Sequence, residues 1–253
     1  MPTLHVVMPH FNEPETLEQS LRRLIAAERP DGWGLQIHLV DDGSAADAVA
    51  EARRVTELLA AEGVPIELTQ HPENRGKGAA LQTGFDAVLG MAETGDLVVI
   101  QDADLEYDPA DIAGLMQPLI AGEADAVLGT RWGSHRQLRG PIARIHAAGN
   151  GLLTALSNAM TGFRVSDMEC CYKLFGVDTL RRLRPGLTEP RFGIEPQIVA
   201  GLARQGARVA EGPVAYDPRG FADGKKIGVS DGLRAIWVIT RERWRGRRAA
   251  PGT

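Results

Sequence analysis

The chain has 253 residues, of which 43% are hydrophobic and 24% are charged, and its formal net charge is −5. This composition is that of a globular protein with enough chain for one large domain or two small ones. A mildly acidic balance argues against a nucleic-acid binder, and we expect no nucleic-acid partner. The first residues, MPTLHVVMPHF, lack the basic and apolar regions of a secretory signal. The two cysteines, Cys170 and Cys171, are neighbours and offer no disulfide framework, so we expect a cytoplasmic protein.

The first half of the chain alternates between strand-like and helix-like segments. Short β-rich runs predict strands at Leu4–Met8, Gln36–Val40, Ile66–Gln70, Leu97–Gln101 and Ala126–Gly129. Helical spacing between them predicts helices at Thr16–Ala27, Ala46–Glu62, Gly78–Glu93 and Pro109–Ala121. Alternation of this kind predicts an α/β fold with a Rossmann-like, mostly parallel central sheet flanked by helices.

The second half is less regular. We expect helices at Ile142–Met160 and Ile194–Arg204, a strand around DMECCYKLF, and a further strand in ARVAEGPVAYDPR. No run approaches the roughly 18 apolar residues of a membrane span.

An acidic stretch, QDADLEYDP, follows the fourth predicted strand. In an extended chain, residues i and i+2 point the same way, so Asp102 and Asp104 should reach one spot, with Glu106 on the same side. Two close carboxylates repel unless a cation lies between them, and oxygen ligands favour Mg²⁺ or Mn²⁺. Ligands of parallel sheets bind beyond the carboxyl ends of the strands, where these acids lie.

Two other predicted strands end in polar residues at the same edge. VVMPHFNE runs into Pro9, Phe11 and Glu13, and IHLVDDGS ends in Asp41 and Asp42. The turn HPENRGKGAA adds Arg75 and Lys77 just before a helix N-terminus, where phosphates bind readily. Neither common phosphate motif, G-x-x-x-x-G-K-[ST] or G-x-G-x-x-G after the first strand, is present.

Taken in order, VVMPHFNE, HLVDDGS, NRGKGAALQTGF and QDADLEYDP resemble the signatures of family 2 glycosyltransferases with the GT-A fold. LGTRW, DMECCYKLF and YDPRGFADGKKIG extend the resemblance toward the dolichyl-phosphate mannose synthase-like branch. The likeness covers residues 4 to 235. The chain departs from many members of that branch in having no membrane-spanning segments.

The resemblance implies an inverting, metal-dependent transfer from a nucleotide-diphosphate sugar, such as a UDP- or GDP-sugar. It implies one GT-A domain over residues 1–235, with a donor-binding half at 1–130, an acceptor-side half at 131–235 and a basic Trp/Arg helix and tail at 236–253. By position, the implied donor-binding residues are Pro9, Phe11, Glu13, Asp41, Lys77, Asp102 and Ala103. The implied metal ligands are Asp102, Asp104 and Glu106. The implied catalytic residues are Asp104, Asp167 and Arg131.

Two kinds of acceptor stay open. A hydroxyl acceptor needs a general base, for which Asp167 matches the position that the family offers. A polyprenyl phosphate is already ionised and needs cations instead. The candidate acceptor-binding cations are Arg131, Arg144, Arg219, Lys225 and Lys226. Glu195 either orients a cation or touches the sugar, or is an ordinary acid at a helix start.

The C-terminal segment has two interpretations. Read as a helix, Leu233, Trp237, Thr240 and Trp244 form one stripe, beside another of Arg234, Arg241, Arg245 and Arg248. Trp beside Arg is typical of peripheral contact with a membrane interface, here at the inner face. The alternative is a terminal helix whose tryptophans pack on the body.

Two other functions share parts of this pattern. A sugar-nucleotide pyrophosphorylase would use a similar fold and metal, but should carry a glycine-rich loop after the first strand, and MPHFNEPET is not one. A non-catalytic nucleotide-sugar binder would bind donor without turnover.

Overall fold

The computed structural model describes residues 1–132, 141–218 and 229–248, with the backbone alone for 141–146, 229–231 and 245–248. The strands of the described chain are β1 (Thr3–His10), β2 (Gly34–Asp41), β3 (Ile66–Gln70), β4 (Leu97–Ile100), β5 (Ala126–Thr130), β6 (Lys173–Gly176) and β7 (Val209–Pro213). They form one sheet in the order β3-β2-β1-β4-β6-β5-β7. β6 runs antiparallel to β4 and β5, and the other neighbours are parallel.

The helices are α1 (Pro14–Ala26), α2 (Ala46–Ala61), α3 (Lys77–Met91), α4 (Ile112–Ile120), α5 (Pro141–Thr161), α6 (Val177–Leu183), α7 (Ile194–Arg204) and α8 (Val229–Arg248). Short 3₁₀ turns occur at Pro109–Asp111 and Arg184–Gly186. In the described part of the chain, no helix combines the length and apolarity that a membrane span needs.

Both faces of the sheet are buried. Val6 and Met8 of β1 pack in one core with Leu17, Leu21 and other residues of α1 and α2. Val7, between them, packs in the opposite core with residues of α3 and α7. Because consecutive strand residues point to opposite faces, a strand buried on both faces is apolar without alternation. This explains why the apolar runs could be recognised as strands.

The predicted α/β architecture is confirmed, and the strands and helices of the first half begin and end within two residues of their predicted bounds, except that α4 begins three residues later than predicted, after the 3₁₀ turn Pro109–Asp111. The strand expected around DMECCYKLF is much shorter, since only its last three residues belong to β6. Asp167 instead binds Arg131, and the Cys171 N–H donates to the Tyr107 hydroxyl. These bonds hold residues 167–171 as a loop, while the Tyr172 carbonyl just before β6 accepts from the Gly129 N–H of β5. Helix α6 was not expected from the sequence.

Candidate active site

The loops at one edge of the sheet collect most of the polar motifs. β1, β2, β4 and β5 are aligned and end at this edge, which we call the carboxyl edge. β6 is antiparallel to its neighbours, so the loop 167–172 that precedes it lies at the same edge. The topology therefore brings motifs from both halves of the chain together.

The acidic motif does not stay extended. β4 ends at Ile100, and Leu105 takes a left-handed backbone conformation with φ of 63°. Asp104 Oδ1 accepts a hydrogen bond from the Glu106 N–H at 3.0 Å, and the Glu106 carboxylate interacts with the Tyr216 hydroxyl. Among the described residues, no three His, Cys, Asp or Glu side chains lie close enough to hold a metal ion. The extended geometry assumed for Asp102, Asp104 and Glu106 ends before them, so the three do not form a three-ligand group in the described chain, and their role as metal ligands stays a prediction.

Lys77 lies at the centre of a buried group of charges. Its Nζ is 2.9 Å from Asp102 Oδ2, 3.2 Å from Glu195 Oε1 and 3.1 Å from the Cys171 sulfur. Lys173, which is fully buried, donates to the other oxygen of Glu195. We call Lys77, Asp102, Cys171, Lys173 and Glu195 the lysine–carboxylate cluster. Its two ammonium groups balance its two carboxylates.

The charges of this cluster stabilise one another. Burial alone would lower the pKa of Lys77, but Asp102, Cys171 and Glu195 outweigh it and raise that pKa well above its usual value. Burial would likewise raise the pKa of Asp102, yet Lys77 and a hydrogen bond from Cys171 keep it lowered. Burial and the nearby Asp102 raise the pKa of the Cys171 thiol, which stays neutral. Lys77 and Asp102 are therefore ionised at neutral pH.

The ends of β1 and β2 are linked to each other. His10 Nδ1 lies 2.9 Å from Asp41 Oδ1, and the Ser44 N–H donates to the other oxygen of Asp41. Asn12, with φ of 52°, accepts from the Ala45 N–H through its side chain. Pro9, Phe11 and Glu13 are only partly buried beside these contacts. Asp41 itself is fully buried, and these two bonds use both of its oxygens.

Asp42 organises the turn that carries Lys77, a role that the sequence did not predict. Its carboxylate accepts from His71 Nδ1, from the Asn74 side chain and from the N–H groups of Arg75 and Gly76. His71 is fixed in turn by Thr83. A single carboxylate thus closes the turn between β3 and α3 and presents Lys77 at the start of the helix.

Arg131 and Asp167 form a two-pronged ion pair across the carboxyl edge. Arg131 donates through Nε and a terminal nitrogen, both at 2.7 Å, and its backbone N–H donates to Asp167 at 3.1 Å. The side chain of Asp167 is fully buried, whereas that of Arg131 is 15% exposed and lies over the Tyr216 ring. Asp167 therefore holds Arg131 in one orientation at the mouth of the site.

Glu169 lies on the same loop. Its Oε1 is buried and has no hydrogen-bond partner among the residues that the structure describes. Burial, and next the nearby Glu195 carboxylate, raise the pKa of Glu169 to about 7.

The structure does not describe the side chains of four of the five predicted acceptor-binding cations. Arg219, Lys225 and Lys226 lie outside the described residues, as does the side chain of Arg144. The residues that sequence reasoning missed are Asp42, Cys171, Glu169 and Lys173. Only Lys173 carried a signal, because a lysine inside an apolar strand requires a buried partner. That partner is Glu195. One interpretation of the sequence was that Glu195 orients an acceptor-binding cation, but the cations that it pairs with are Lys77 and Lys173.

The chain belongs to the glycosyl transferase family 2, whose model matches residues 5–183. Glycosyltransferase AglD of Haloferax volcanii is 28% identical over 221 residues, which are 85% of this chain and 33% of that protein. The dodecaprenyl-phosphate galacturonate synthase of Rhizobium johnstonii is 28% identical over 235 residues, 92% of this chain and 64% of that protein. The chain thus spans from a third to just under two thirds of these relatives.

The fold is GT-A. Glucosyl-3-phosphoglycerate synthase from Mycobacterium tuberculosis, solved with Mn²⁺, UDP-glucose and phosphoglyceric acid, superposes with a TM-score of 0.66. The alignment covers 96% of this chain and 80% of that one at 20% identity.

Proposed function

We propose that this chain transfers a sugar from a nucleotide-diphosphate sugar to a polyprenyl phosphate, with inversion, as a member of the dolichyl-phosphate mannose synthase-like branch. The observation that carries the proposal is the lysine–carboxylate cluster at the carboxyl edge, which joins the acidic motif to the start of α3. A nucleoside diphosphate is an anion of the kind that a helix N-terminus with an adjacent lysine attracts.

The donor contacts follow from the positions of the strand ends. Pro9, Phe11 and Glu13 border the site where a base and ribose would lie, and Ala103, whose side chain packs in the core, would contribute its backbone there. Asp41 supports the β1 and β2 ends through His10, and we propose that this contact shapes the nucleoside pocket. Lys77 is placed to meet the diphosphate.

Asp102 and Asp104 suit a divalent ion as a pair. Both are partly exposed oxygen donors, whereas Glu106 is directed to Tyr216. Two protein carboxylates together with diphosphate oxygens are a usual ligand set for Mg²⁺ or Mn²⁺. Such an ion, when bound, stabilises the negative charge that develops on the departing diphosphate.

In the proposed reaction, an acceptor phosphate oxygen forms a bond to the anomeric carbon as the bond from that carbon to the diphosphate breaks. The bonding pair leaves with the nucleoside diphosphate. Because the acceptor is already an anion, no proton has to be removed from it. Arg131 then has the chemistry for two-pronged phosphate contact. The predicted contacts from Arg144, Arg219, Lys225 and Lys226 would add to it.

The alternative acceptor, a hydroxyl of a soluble small molecule or saccharide, requires Asp167 or another group as general base. Asp167 accepts three hydrogen bonds from Arg131 and is fully buried, which supports a positioning role instead. For the same reason, Asp167→Asn would disturb Arg131 as well as remove a base. Comparing acceptors directly separates the two cases more cleanly than that variant does.

Product analysis tests the proposal. The chain is first screened by thermal shift against UDP-, GDP- and dTDP-sugars with Mn²⁺, since a ligand that binds the folded state raises its melting temperature. The best donor is then incubated with a short polyprenyl phosphate in detergent or with saccharide acceptors, and products are identified by mass spectrometry. We expect a glycosyl phosphopolyprenol and free nucleoside diphosphate, lost with EDTA and reduced at least about 100-fold in Asp104→Asn.

Other outcomes identify the alternatives. A product on a saccharide hydroxyl alone would contradict the lipid acceptor. Conversion of the donor and added pyrophosphate into a nucleoside triphosphate and a sugar 1-phosphate would identify a pyrophosphorylase, and donor binding without turnover of any acceptor would identify a binding protein.

We also propose that α8 lies against the inner membrane face. Trp237 is 46% and Trp244 is 66% exposed, while Ala235, Val238 and Ile239 face the body. The tryptophans thus lie on the outer side of the helix, as membrane contact requires. Flotation with anionic vesicles should recover the chain, and Trp237→Ala/Trp244→Ala should remain at the bottom of the gradient. Equal flotation of both would contradict this contact.

A further inference from the structure

The segment 188–191 packs against the start of α3. The Ala79 N–H donates to the Pro190 carbonyl at 2.9 Å, and the Gln82 side chain donates to the Glu189 carbonyl at 2.9 Å. A Cβ added to Gly78 would lie 2.2 Å from the Glu189 carbonyl oxygen. The approach is so close that only glycine fits there. The turn that carries Lys77 therefore has its position set partly by this segment.

The same segment is held from its other side by α8. The Glu189 side chain is only 2% exposed, and its oxygens pair with Arg234 at 2.9 Å and Arg241 at 2.6 Å. The Glu189 N–H donates to Gln197 of α7. A carboxylate this buried is strongly unfavourable when its partners are removed. Docking of α8 thus contributes, together with Gln197 of α7, to the position of the segment 188–191.

The link continues to the surface of α8. The guanidinium groups of Arg234 and Arg241 lie 4.3 Å and 4.5 Å from the centre of the Trp237 ring. Both arginines that hold Glu189 are therefore also the neighbours of an exposed tryptophan. A continuous series of contacts runs from Trp237 through Glu189 and Pro190 to the start of α3 and Lys77.

We infer that Glu189 is a positioning residue for the donor site, which couples the docking of α8 to the placement of Lys77. The expected effect on donor affinity rests on the proposed function. The coupling between α8 and the start of α3 does not. It assigns to α8 a role in nucleotide binding. Glu189→Gln should weaken the coupling, because a neutral amide cannot pair with two guanidinium groups.

Two measurements on the full chain test this coupling. Hydrogen exchange followed by mass spectrometry reports the amides of Ala79 and Ala80, and calorimetry with a nucleoside diphosphate and Mn²⁺ reports affinity. In Glu189→Gln we expect these amides to exchange about tenfold faster and the Kd to rise about tenfold. kcat at saturating donor should stay within about twofold, because Glu189 acts through the placement of Lys77.

Arg243→Ala is the matched control. Arg243 is an exposed cation on α8 that donates to the Met160 carbonyl and not to Glu189, so both measurements should stay at wild-type values. Arg234→Gln, which leaves Arg241 in place, should give a smaller change in the same direction and serves if Glu189→Gln folds poorly. Equal exchange at Ala79 in Glu189→Gln and Arg243→Ala would overturn the inference. If the wild-type chain bound no nucleoside diphosphate, the proposed function would be wrong. Hydrogen exchange at Ala79 would still show whether Glu189 couples α8 to the start of α3.

Discussion

The carboxyl edge of the sheet and the opposite edge, where the parallel strands begin and which we call the amino edge, differ in the charge of their buried polar groups. At the carboxyl edge, Lys173 and Glu195 are a buried ion pair, and Lys77 and Asp102 form a second pair whose side chains are 12% and 15% exposed. At the amino edge, His5 Nδ1 lies 3.1 Å from His38 Nε2, and His5 also approaches Asp96. Burial lowers the pKa of both histidines, that of His38 to about 4, so the pair stays neutral.

This difference separates structural from functional polarity. Ions withdrawn from water carry a penalty of several kcal/mol each, which their attraction only partly offsets. At the amino edge the two histidines are neutral and Asp96 is the charged group beside them. The carboxyl edge gathers more charges in one place, and we propose that they serve to bind an anionic donor.

The largest expected effect is that of removing the central cation. Lys77→Met leaves Asp102 and Glu195 close together, and we expect the free energy of unfolding to fall by about 4 kcal/mol, measured by urea denaturation. Nucleoside diphosphate binding should be lost as well. Arg75→Met, an exposed cation two residues away, should change stability by less than about 0.5 kcal/mol. If both variants lost a similar free energy of unfolding, the contacts of Lys77 within the cluster would contribute no more to stability than an exposed cation does.

Next in size is the change Arg131→Lys. Lysine cannot reproduce the two-pronged contact to buried Asp167, and we expect a loss of about 2 to 3 kcal/mol. Arg208 makes the same kind of contact to Asp125 on the surface, where its side chain is 58% exposed. Arg208→Lys should therefore have a much smaller effect on the free energy of unfolding than Arg131→Lys. If the two variants unfold at the same urea concentration, burial does not strengthen the Arg131 pair.

A third test uses pH at the carboxyl edge. The pKa of Glu169 is about 7 in the fold and near 4.5 when unfolded, so the unfolded state loses its proton first and stability falls as pH rises through this window. Glu169→Gln removes this loss and should stabilise the chain by about 2 kcal/mol at pH 8 but little at pH 4.5. A gain independent of pH would contradict the assignment.

The smallest expected effect lies at the amino edge and has the opposite sign. His38 binds a proton near pH 6.5 when unfolded but only near pH 4 when folded. Its contribution is complete above pH 6.5 and is lost as pH falls, by about 1 kcal/mol between pH 7 and pH 5.5. In thermal unfolding, His38→Gln should show a shallower loss over this range than wild type. Parallel curves would mean that His38 is not held neutral.

Much of this molecule follows from local sequence. Strands such as β4 are apolar because both faces are covered, and α1 begins at Pro14, whose fixed φ suits a first helical turn. The strand ends place Asp102, Asp41 and Lys77 at one edge, as predicted, because parallel strands share their direction.

What could not be predicted depends on tertiary contacts or on single backbone angles. The left-handed Leu105 turns Glu106 away from Asp102, and nothing in a leucine indicates that conformation. Glu195 pairs with Lys173, 22 residues away in the sequence, and with Lys77, more than a hundred residues away. Glu189 pairs with Arg234, 45 residues away. Such long-range pairs depend on how the helices and strands pack together, and this packing cannot be predicted from a single sequence.

The most direct test is a crystal of the chain soaked with a nucleoside diphosphate and MnCl₂. The account predicts an anomalous manganese peak beside the carboxylates of Asp102 or Asp104, with the diphosphate between that peak and Lys77. A diphosphate bound away from the carboxyl edge, or at that edge with manganese bound elsewhere, would contradict it.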